Sequence, residues 1–262
     1  MTIPFYKFDG AGNDFVIIDA RASNYQLTAN QIAHICHRRF GVGADGLMLL
    51  QAASKDCDFV MKYYNSDGHS AEMCGNGGRC IAMFAHLLGI GSNGSPLHFY
   101  ADDGPHHATI ISWDSQSQKG IVQLSMRDVD KSTIRQVVNG HLLNTGVPHY
   151  VQEVDDIDAV DIRTEGSRLR HHPAMGPAGA NVNFIQKKGD VLMVRTYERG
   201  VEDETLACGT GVTACALVSG FRSIQARGGD FQIDCTNTPG AFTQVMLTGP
   251  VSLNFTGHIN VI

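Results

Sequence analysis

The sequence predicts an α/β (α+β) protein built as two similar domains, each a mostly antiparallel sheet around one central helix. Three observations predict it. Cys-Gly-X-Gly occurs twice, at Cys74-Gly-Asn-Gly and Cys208-Gly-Thr-Gly, and each time it opens an apolar stretch of helical length. Each occurrence is preceded by the same order of segments. Asp58 to Tyr64 reads as a strand before the turn Asn65-Ser-Asp-Gly; Val191 to Tyr197 reads as a strand before the polar turn Glu198-Arg-Gly-Val-Glu-Asp-Glu. Repetition of a strand–loop–helix unit marks a duplicated fold. Finally, short β-type runs far outnumber helical ones and few are joined by helix-length crossovers, which favours antiparallel pairing.

Taken in order, the first helix starts at Thr28, where Thr28 and Gln31 form a capping-box pattern and Ile32, Ile35 and Phe40 supply apolar positions before Gly41 ends the run. His34 and His37 stand at i, i+3 on it. Without a third ligand they read as ordinary helix positions and not as a metal site. After Cys74, the run Ile81-Ala-Met-Phe-Ala-His-Leu-Leu up to Gly89 is apolar nearly all round, so it predicts a buried helix. Ser112 to Gly120 reads as a polar connector between the halves. Val122, Leu124 and Met126 then alternate with polar residues as a half-buried strand. The second buried helix runs from Cys208 through Phe221, and Val251, Leu253 and Phe255 alternate as a closing strand.

Composition excludes several classes. Of the 262 residues, 43% are hydrophobic, as expected of a globular chain. Lys and Arg number 20 against 26 Asp and Glu, and with a formal charge of −6 and no basic stripe the chain lacks a nucleic-acid footprint. The start, Met1-Thr-Ile-Pro-Phe-Tyr-Lys-Phe, has no secretory pattern, and no apolar run reaches membrane-span length. The expectation is a soluble cytoplasmic protein. Seven cysteines with no Cys-X-X-Cys pair predict reduced thiols.

A helix N-terminus offers free N–H groups and a partial positive charge, and adjacent glycines leave those donors uncovered for a ligand. The place favours a thiolate and also binds a carboxylate. The dipole is worth up to ~2 kcal/mol, enough to bring a thiol from ~8.5 to near 7. Two matched thiols acting on opposite faces of one carbon form an acid–base pair suited to inverting a stereocentre. Lone Gly-X-Gly is a weak signal and cysteine packs readily in cores; Cys36, Cys57, Cys80, Cys215 and Cys235 are read as packing. The duplication lifts Cys74 and Cys208 above that reading.

The chain resembles the diaminopimelate epimerase family over essentially its full length. The resemblance rests on Phe8-Asp-Gly-Ala-Gly-Asn-Asp-Phe-Val, Gly41-Val-Gly-Ala-Asp-Gly, Asn65-Ser-Asp-Gly, Met73-Cys-Gly-Asn-Gly-Gly-Arg-Cys and Glu198-Arg-Gly followed by Cys208-Gly-Thr-Gly. It implies two domains related by a pseudo-two-fold, each a sheet or barrel about its helix: 1–119 with 251–262 carrying Cys74, and 120–250 carrying Cys208. It implies epimerisation of LL-2,6-diaminopimelate to meso-diaminopimelate for lysine and peptidoglycan precursors, without cofactor or metal, by a cytoplasmic homodimer with its active site in the cleft between domains. Cys74 and Cys208 are the implied acid/base pair, and His149 and Glu198 the groups that tune them. Asn13, Asn65, Gly75, Asn76, Asn181, Glu198, Arg199, Gly209 and Thr210 are the implied substrate contacts. Three departures fall on recognition and not on the chemistry. Val147-Pro148-His149 stands where the family usually has Asn-Pro-His, Gly46 stands where some members have Gln, and the loop holding Glu202-Asp203-Glu204 is one residue longer than in some members.

Rival readings are a proline or hydroxyproline racemase, a binding module with inert thiols, and a metal-dependent hydrolase. The first usually has His where Asn76 stands; the last lacks a ligand cluster in the sequence.

Overall fold

The computed structural model describes residues 1–23, 25–53, 56–70, 74–91 and 95–261. Met73, which opens the first cysteine motif, and Ile262 lie outside the described residues. The chain divides into two compact units, Met1–Leu124 with Pro250–Ile262, and Ser125–Gly249. Each is mostly strand with one enclosed helix, the α+β architecture expected. Among the described residues no helix is long and apolar enough to cross a membrane.

In unit 1 the strands β1 (Thr2–Gly10) and β2 (Asn13–Asp19) form an antiparallel hairpin. Helix α1 (Ala29–Cys36) then carries the chain to β3 (Gly46–Gln51), which lies parallel to β2 with Phe15 opposite Gly46. Strand β4 (Phe59–Asn65) pairs antiparallel with β3, and α2 (Gly75–Leu87) carries the chain to β5 (Leu97–Ala101), parallel to β4. Strands β6 (Gly104–Asp114) and β7 (Lys119–Ser125) follow antiparallel. Helix α2 is buried continuously from Gly75 to Ala85 and contacts β1, β2, β3 and β6. Its Phe84 packs on the rings of Tyr6 and Phe8, at 4.7 and 6.1 Å between centroids; burying such a side chain contributes about 1.5–3 kcal/mol.

In unit 2 the strands β8 (Val129–Asp130) and β9 (Arg135–Val137) lead into β10 (Gly140–Asn144) and β11 (Pro148–Glu153), an antiparallel pair. Helix α3 (Ile162–Arg170) precedes β12 (Asn181–Lys188), parallel to β11, and β13 (Val191–Glu198) returns antiparallel to β12. After β14 (Asp203–Thr205), helix α4 (Gly209–Ser219) leads to β15 (Ser223–Ala226), parallel to β13. Strands β16 (Gly229–Asn237) and β17 (Ala241–Asn260) close the series antiparallel. The order of antiparallel and parallel pairings is therefore the same in both units, and each parallel pair is bridged by a helix, as parallel geometry requires. The repeat seen around the cysteines thus extends along the main series of strands, with β14 an addition in unit 2.

Five segments differ from the sequence expectation. Helix α1 has the capping box at Thr28 but ends at Cys36, and Phe40 is 74% exposed. Past His37 the chain doubles back, with the Val42 and Gly43 N–H groups both donating to the Ile35 carbonyl. A Cβ on Gly41 would lie 2.0 Å from the His34 carbonyl oxygen, so only glycine fits there, and Phe40 turns outward to stack on His37. Ser112 to Gly120 is the β6–β7 hairpin and not a connector. The turn after Glu198 is likewise a hairpin, in which Asp203 to Thr205 pair with β13. Helix α4 stops at Ser219, because Gly220 takes the left-handed C-cap at φ 77°. In β17, Val251 is buried but Phe255 is half exposed. A bulge places Leu253 opposite Phe8 and Phe255 opposite the adjacent Lys7, and a single extra residue moves the rest of a strand to the other face.

Candidate active site

Both motif cysteines occupy the N-cap position of the enclosed helix of their unit: Cys74 before α2, Cys208 before α4. Each cap residue has extended backbone, φ −107° and −114°; the Cys74 side chain caps the first turn by accepting the Gly77 N–H, whereas the Cys208 side chain makes no cap hydrogen bond. Among the described residues no disulfide is formed. Cys80 and Cys215 lie inside the helices, fully buried, and burial pushes both thiols well above the ordinary range. Cys36 is buried too, and its thiol is pushed up to about 12. Cys57 and Cys235 are only partly buried.

In unit 1 the Cys74 sulfur accepts the Gly77 N–H at 3.2 Å and lies 3.8 Å from Asn13 Oδ1. The same Asn13 oxygen accepts from Asn76 Nδ2 at 3.4 Å. Asn13, Gly75 and Asn76 are thus brought to the thiol. The Asn13 amide is oriented from behind, since its Nδ2 donates to Asp45 Oδ2 at 2.7 Å. Asp45 is held in turn by Arg38 and by the Asp14 N–H, and Asp14 takes a two-pronged grip from Arg38 plus the buried Lys7 ammonium. Lys7 also donates to the Gly43 carbonyl. Burial alone would raise the Asp14 carboxyl, but hydrogen bonds from Arg38 and Lys7 hold it well below the usual range. Asn65 ends β4 and is exposed, and its side chain is not part of this network among the described residues. Gly46 has no room for a side chain: a Cβ would lie 2.5 Å from Tyr63 Cε2 and 2.6 Å from the Tyr64 oxygen.

In unit 2 the Cys208 sulfur lies 3.4 Å from Thr210 Oγ1, which is 2.9 Å from His149 Nε2. His149 is fully buried on β11, beside Asn181 of β12 in the parallel register. Burial, reinforced by the positive Arg199, lowers the imidazole to about 3, so it is neutral. Its tautomer follows from Asn183. That amide donates from Nδ2 to the Tyr150 carbonyl at 2.9 Å and accepts at Oδ1 from Thr196, so Nδ2 is the atom facing His149 Nδ1 at 3.2 Å. With Nδ1 as the acceptor toward Asn183, Nε2 carries the proton and donates it to Thr210. The Thr210 hydroxyl is also in hydrogen-bond contact with the Cys208 sulfur, and either atom can be the donor. Asn181 Nδ2, 3.4 Å from the same Nε2, makes a donor–donor contact; its Oδ1 accepts the Arg199 backbone N–H at 2.8 Å. The Gly209 carbonyl accepts from Thr213 Oγ1. Glu198 ends β13, half-buried, next to Arg199.

Arg199 does not pair with the carboxylates that follow it. Glu202 is bound by Arg170, and Glu204 by Arg195 and Arg227. Among the described residues the Arg199 guanidinium forms no ion pair.

Sequence reasoning passed over Lys7, Asp14, Arg38, Asp45, Arg79, Asn183 and Thr196. Asp14, Asp45 and Arg79 stand inside the quoted motifs without a role. Asn183 leaves a visible trace, a polar residue inside the apolar run Val182-Asn183-Phe184-Ile185.

The fold and these sites define a class: a two-unit α+β protein with a cysteine capping the enclosed helix of each unit. A solved hydroxyproline epimerase from Agrobacterium vitis shares the fold, with TM-score 0.68 at 15% identity, covering 98% of this chain and 92% of that one. Residues 5–132 and 141–253 match the diaminopimelate epimerase family. A diaminopimelate epimerase of Flavobacterium psychrophilum is 42% identical over 261 residues, 95% of this chain and 97% of the relative. One from Chlorobaculum tepidum is 44% identical over 211 residues, 80% of each. The chain belongs to the diaminopimelate epimerase family.

Proposed function

We propose that the protein converts LL-2,6-diaminopimelate to meso-diaminopimelate, with Cys74 and Cys208 as the two acid/base groups. The observation that carries the reading is the duplicated cysteine at the N-cap of an enclosed helix. A thiolate sulfur takes the α-proton and becomes a thiol. The electron pair stays on the α-carbon, and the second thiol gives its proton to the opposite face and is left as a thiolate. The reaction consumes no oxidant and leaves the net proton count unchanged. Both directions use the same pair with roles exchanged. The helix N-termini supply N–H donors where charge develops on the substrate carboxylate.

The neighbours take roles that fit their chemistry. The donor chain from Asn183 through His149 and Thr210 ends on the Cys208 sulfur and favours its ionised form; a neutral, Nε2-protonated His149 is what such a chain requires. Glu198 is assigned with His149 to thiol tuning. Asn13, Asn65, Gly75, Asn76, Asn181, Gly209 and Thr210 are assigned to holding the amino-acid head, and Arg199 to the distal carboxylate. On the family resemblance alone, the same reading makes the enzyme a cytoplasmic homodimer that needs neither metal nor pyridoxal phosphate.

The test is α-proton exchange and epimerisation of LL-diaminopimelate in deuterated water, with wild type, Cys74→Ala and Cys208→Ala. Wild type is expected to exchange and invert, and each variant to lose inversion while keeping its circular dichroism. Near-normal turnover by either variant would refute the two-base reading.

A further inference from the structure

Among the described residues Arg79 is the largest side chain buried completely, and it sits on α2, one turn past the cap. Its guanidinium wraps back along the helix. Nη1 donates to the Gly75 carbonyl at 2.9 Å, and Nη2 donates to Asn76 Oδ1 at 3.0 Å and to the Pro250 carbonyl at 3.4 Å. These three acceptors are neutral. Moving a charged group out of water is costly, and burial lowers the guanidinium to about 10 against the opposing influence of Cys80, Cys74 and Asp9. A plain apolar residue would fill an enclosed helix face without that cost.

The bonds themselves say what the charge is for. By gripping Asn76 Oδ1, Arg79 turns Asn76 so that Nδ2 faces Asn13 Oδ1, the oxygen that also lies against the Cys74 sulfur. By gripping the Gly75 carbonyl, it braces the first turn of α2, whose N–H groups cap that sulfur. We propose that Arg79 is a positioning residue for the unit 1 thiol: it sets the Asn76 amide and holds a fixed positive charge behind the helix N-terminus that favours the Cys74 thiolate. The proposal rests on the reading of Cys74 as an acid/base group, but its test does not depend on turnover.

The experiment measures the pH dependence of Cys74 alkylation by iodoacetamide, read by peptide mapping, in wild type, Arg79→Met and Arg79→Lys, with Cys208 of the same chain as reference. In Arg79→Met the Cys74 midpoint is expected to rise by about one pH unit, the low end for losing a nearby opposite charge, while the Cys208 midpoint stays put. Arg79→Lys keeps the charge and loses the planar fork, so its midpoint should match wild type while KM for diaminopimelate rises about tenfold. An unchanged Cys74 midpoint in Arg79→Met, or an equal shift at both cysteines, overturns the proposal, because a merely structural brace would give those results. Should Arg79→Met fail to fold, Arg79→Lys decides alone: raised KM at the wild-type midpoint supports the proposal, and wild-type KM overturns it. Failure of Cys74 as a catalytic group would appear separately, as activity retained in Cys74→Ala.

Discussion

Lowering the pH from 7 to 5 should destabilise the protein through His149 by about 2 kcal/mol. An exposed imidazole titrates near 6.5, whereas burial lowers His149 to about 3. At pH 5 the unfolded chain therefore binds a proton at this residue and the folded chain does not. The stability contributed by the neutral ring is fully present above pH 6.5 and is lost as the pH falls toward 3. With 1.36 kcal/mol for each pH unit below the unfolded value, pH 5 gives about 2 kcal/mol. The site explains why the ring resists protonation, since Nδ1 already accepts from the Asn183 amide and a second ring proton would face a donor. The assay is urea unfolding followed by circular dichroism at pH 7 and pH 5, for wild type and His149→Gln. Carboxylates and the other histidines act equally in both proteins, so the wild type should lose about 2 kcal/mol more than the variant. Losses equal within about 0.5 kcal/mol would refute a neutral buried imidazole.

Two further outcomes follow from the site. Arg199→Lys should cut kcat/KM for diaminopimelate at least about tenfold, because a charge-assisted fork to a carboxylate is worth ~1.5–3 kcal/mol; steady-state kinetics within twofold of wild type would move distal recognition elsewhere. Gly211→Ala should destabilise the protein by ~1–3 kcal/mol, since its Cβ would lie 2.6 Å from Asn183 Oδ1 and 3.3 Å from His149 Cε1. Gly240→Ala, whose Cβ meets nothing within 4 Å, is the control, expected within about 0.5 kcal/mol of wild type. Equal melting behaviour of the two variants would contradict the packing described.

The parts of the fold legible in the sequence are those set by local chemistry. The Thr28 capping box, the all-apolar helices and the order of segments around the two cysteines each follow from contiguous residues. The parts that were not legible depend on residues distant in the chain. Whether Phe255 faces inward turns on a bulge opposite Lys7 and Phe8, and nothing within β17 announces it. Phe40 looked like a core position because it keeps the helical period, yet the backbone grip on Ile35 from Val42 and Gly43 ends the helix first. The same division holds at the candidate site. The cysteines and glycines stand out as motifs, whereas Asp45 acts through Asn13, and Asn183 through His149, across 32 and 34 residues. The second glycine of Cys208-Gly-Thr-Gly serves the packing, since Gly211 gives way to Asn183 and His149 packed against the helix.

Strand β17 is a single run of 20 residues, yet its first part belongs to unit 2 and its last part to unit 1. On the ribosome this sets an order of completion. Unit 2 is continuous in the chain, so all of its residues exist once Gly249 has been made. Unit 1 is interrupted, and β1, the first strand of this fold, pairs with β17, its last, Thr2 opposite Asn260. Until residues 250–260 emerge, the outer edge of β1 carries unpaired N–H and C=O groups, the condition under which nascent strands capture one another. At the usual 5–20 residues per second, the roughly 125 residues of unit 2 expose that edge for about 6–25 s. The unit whose chain begins first is thus the one that closes last.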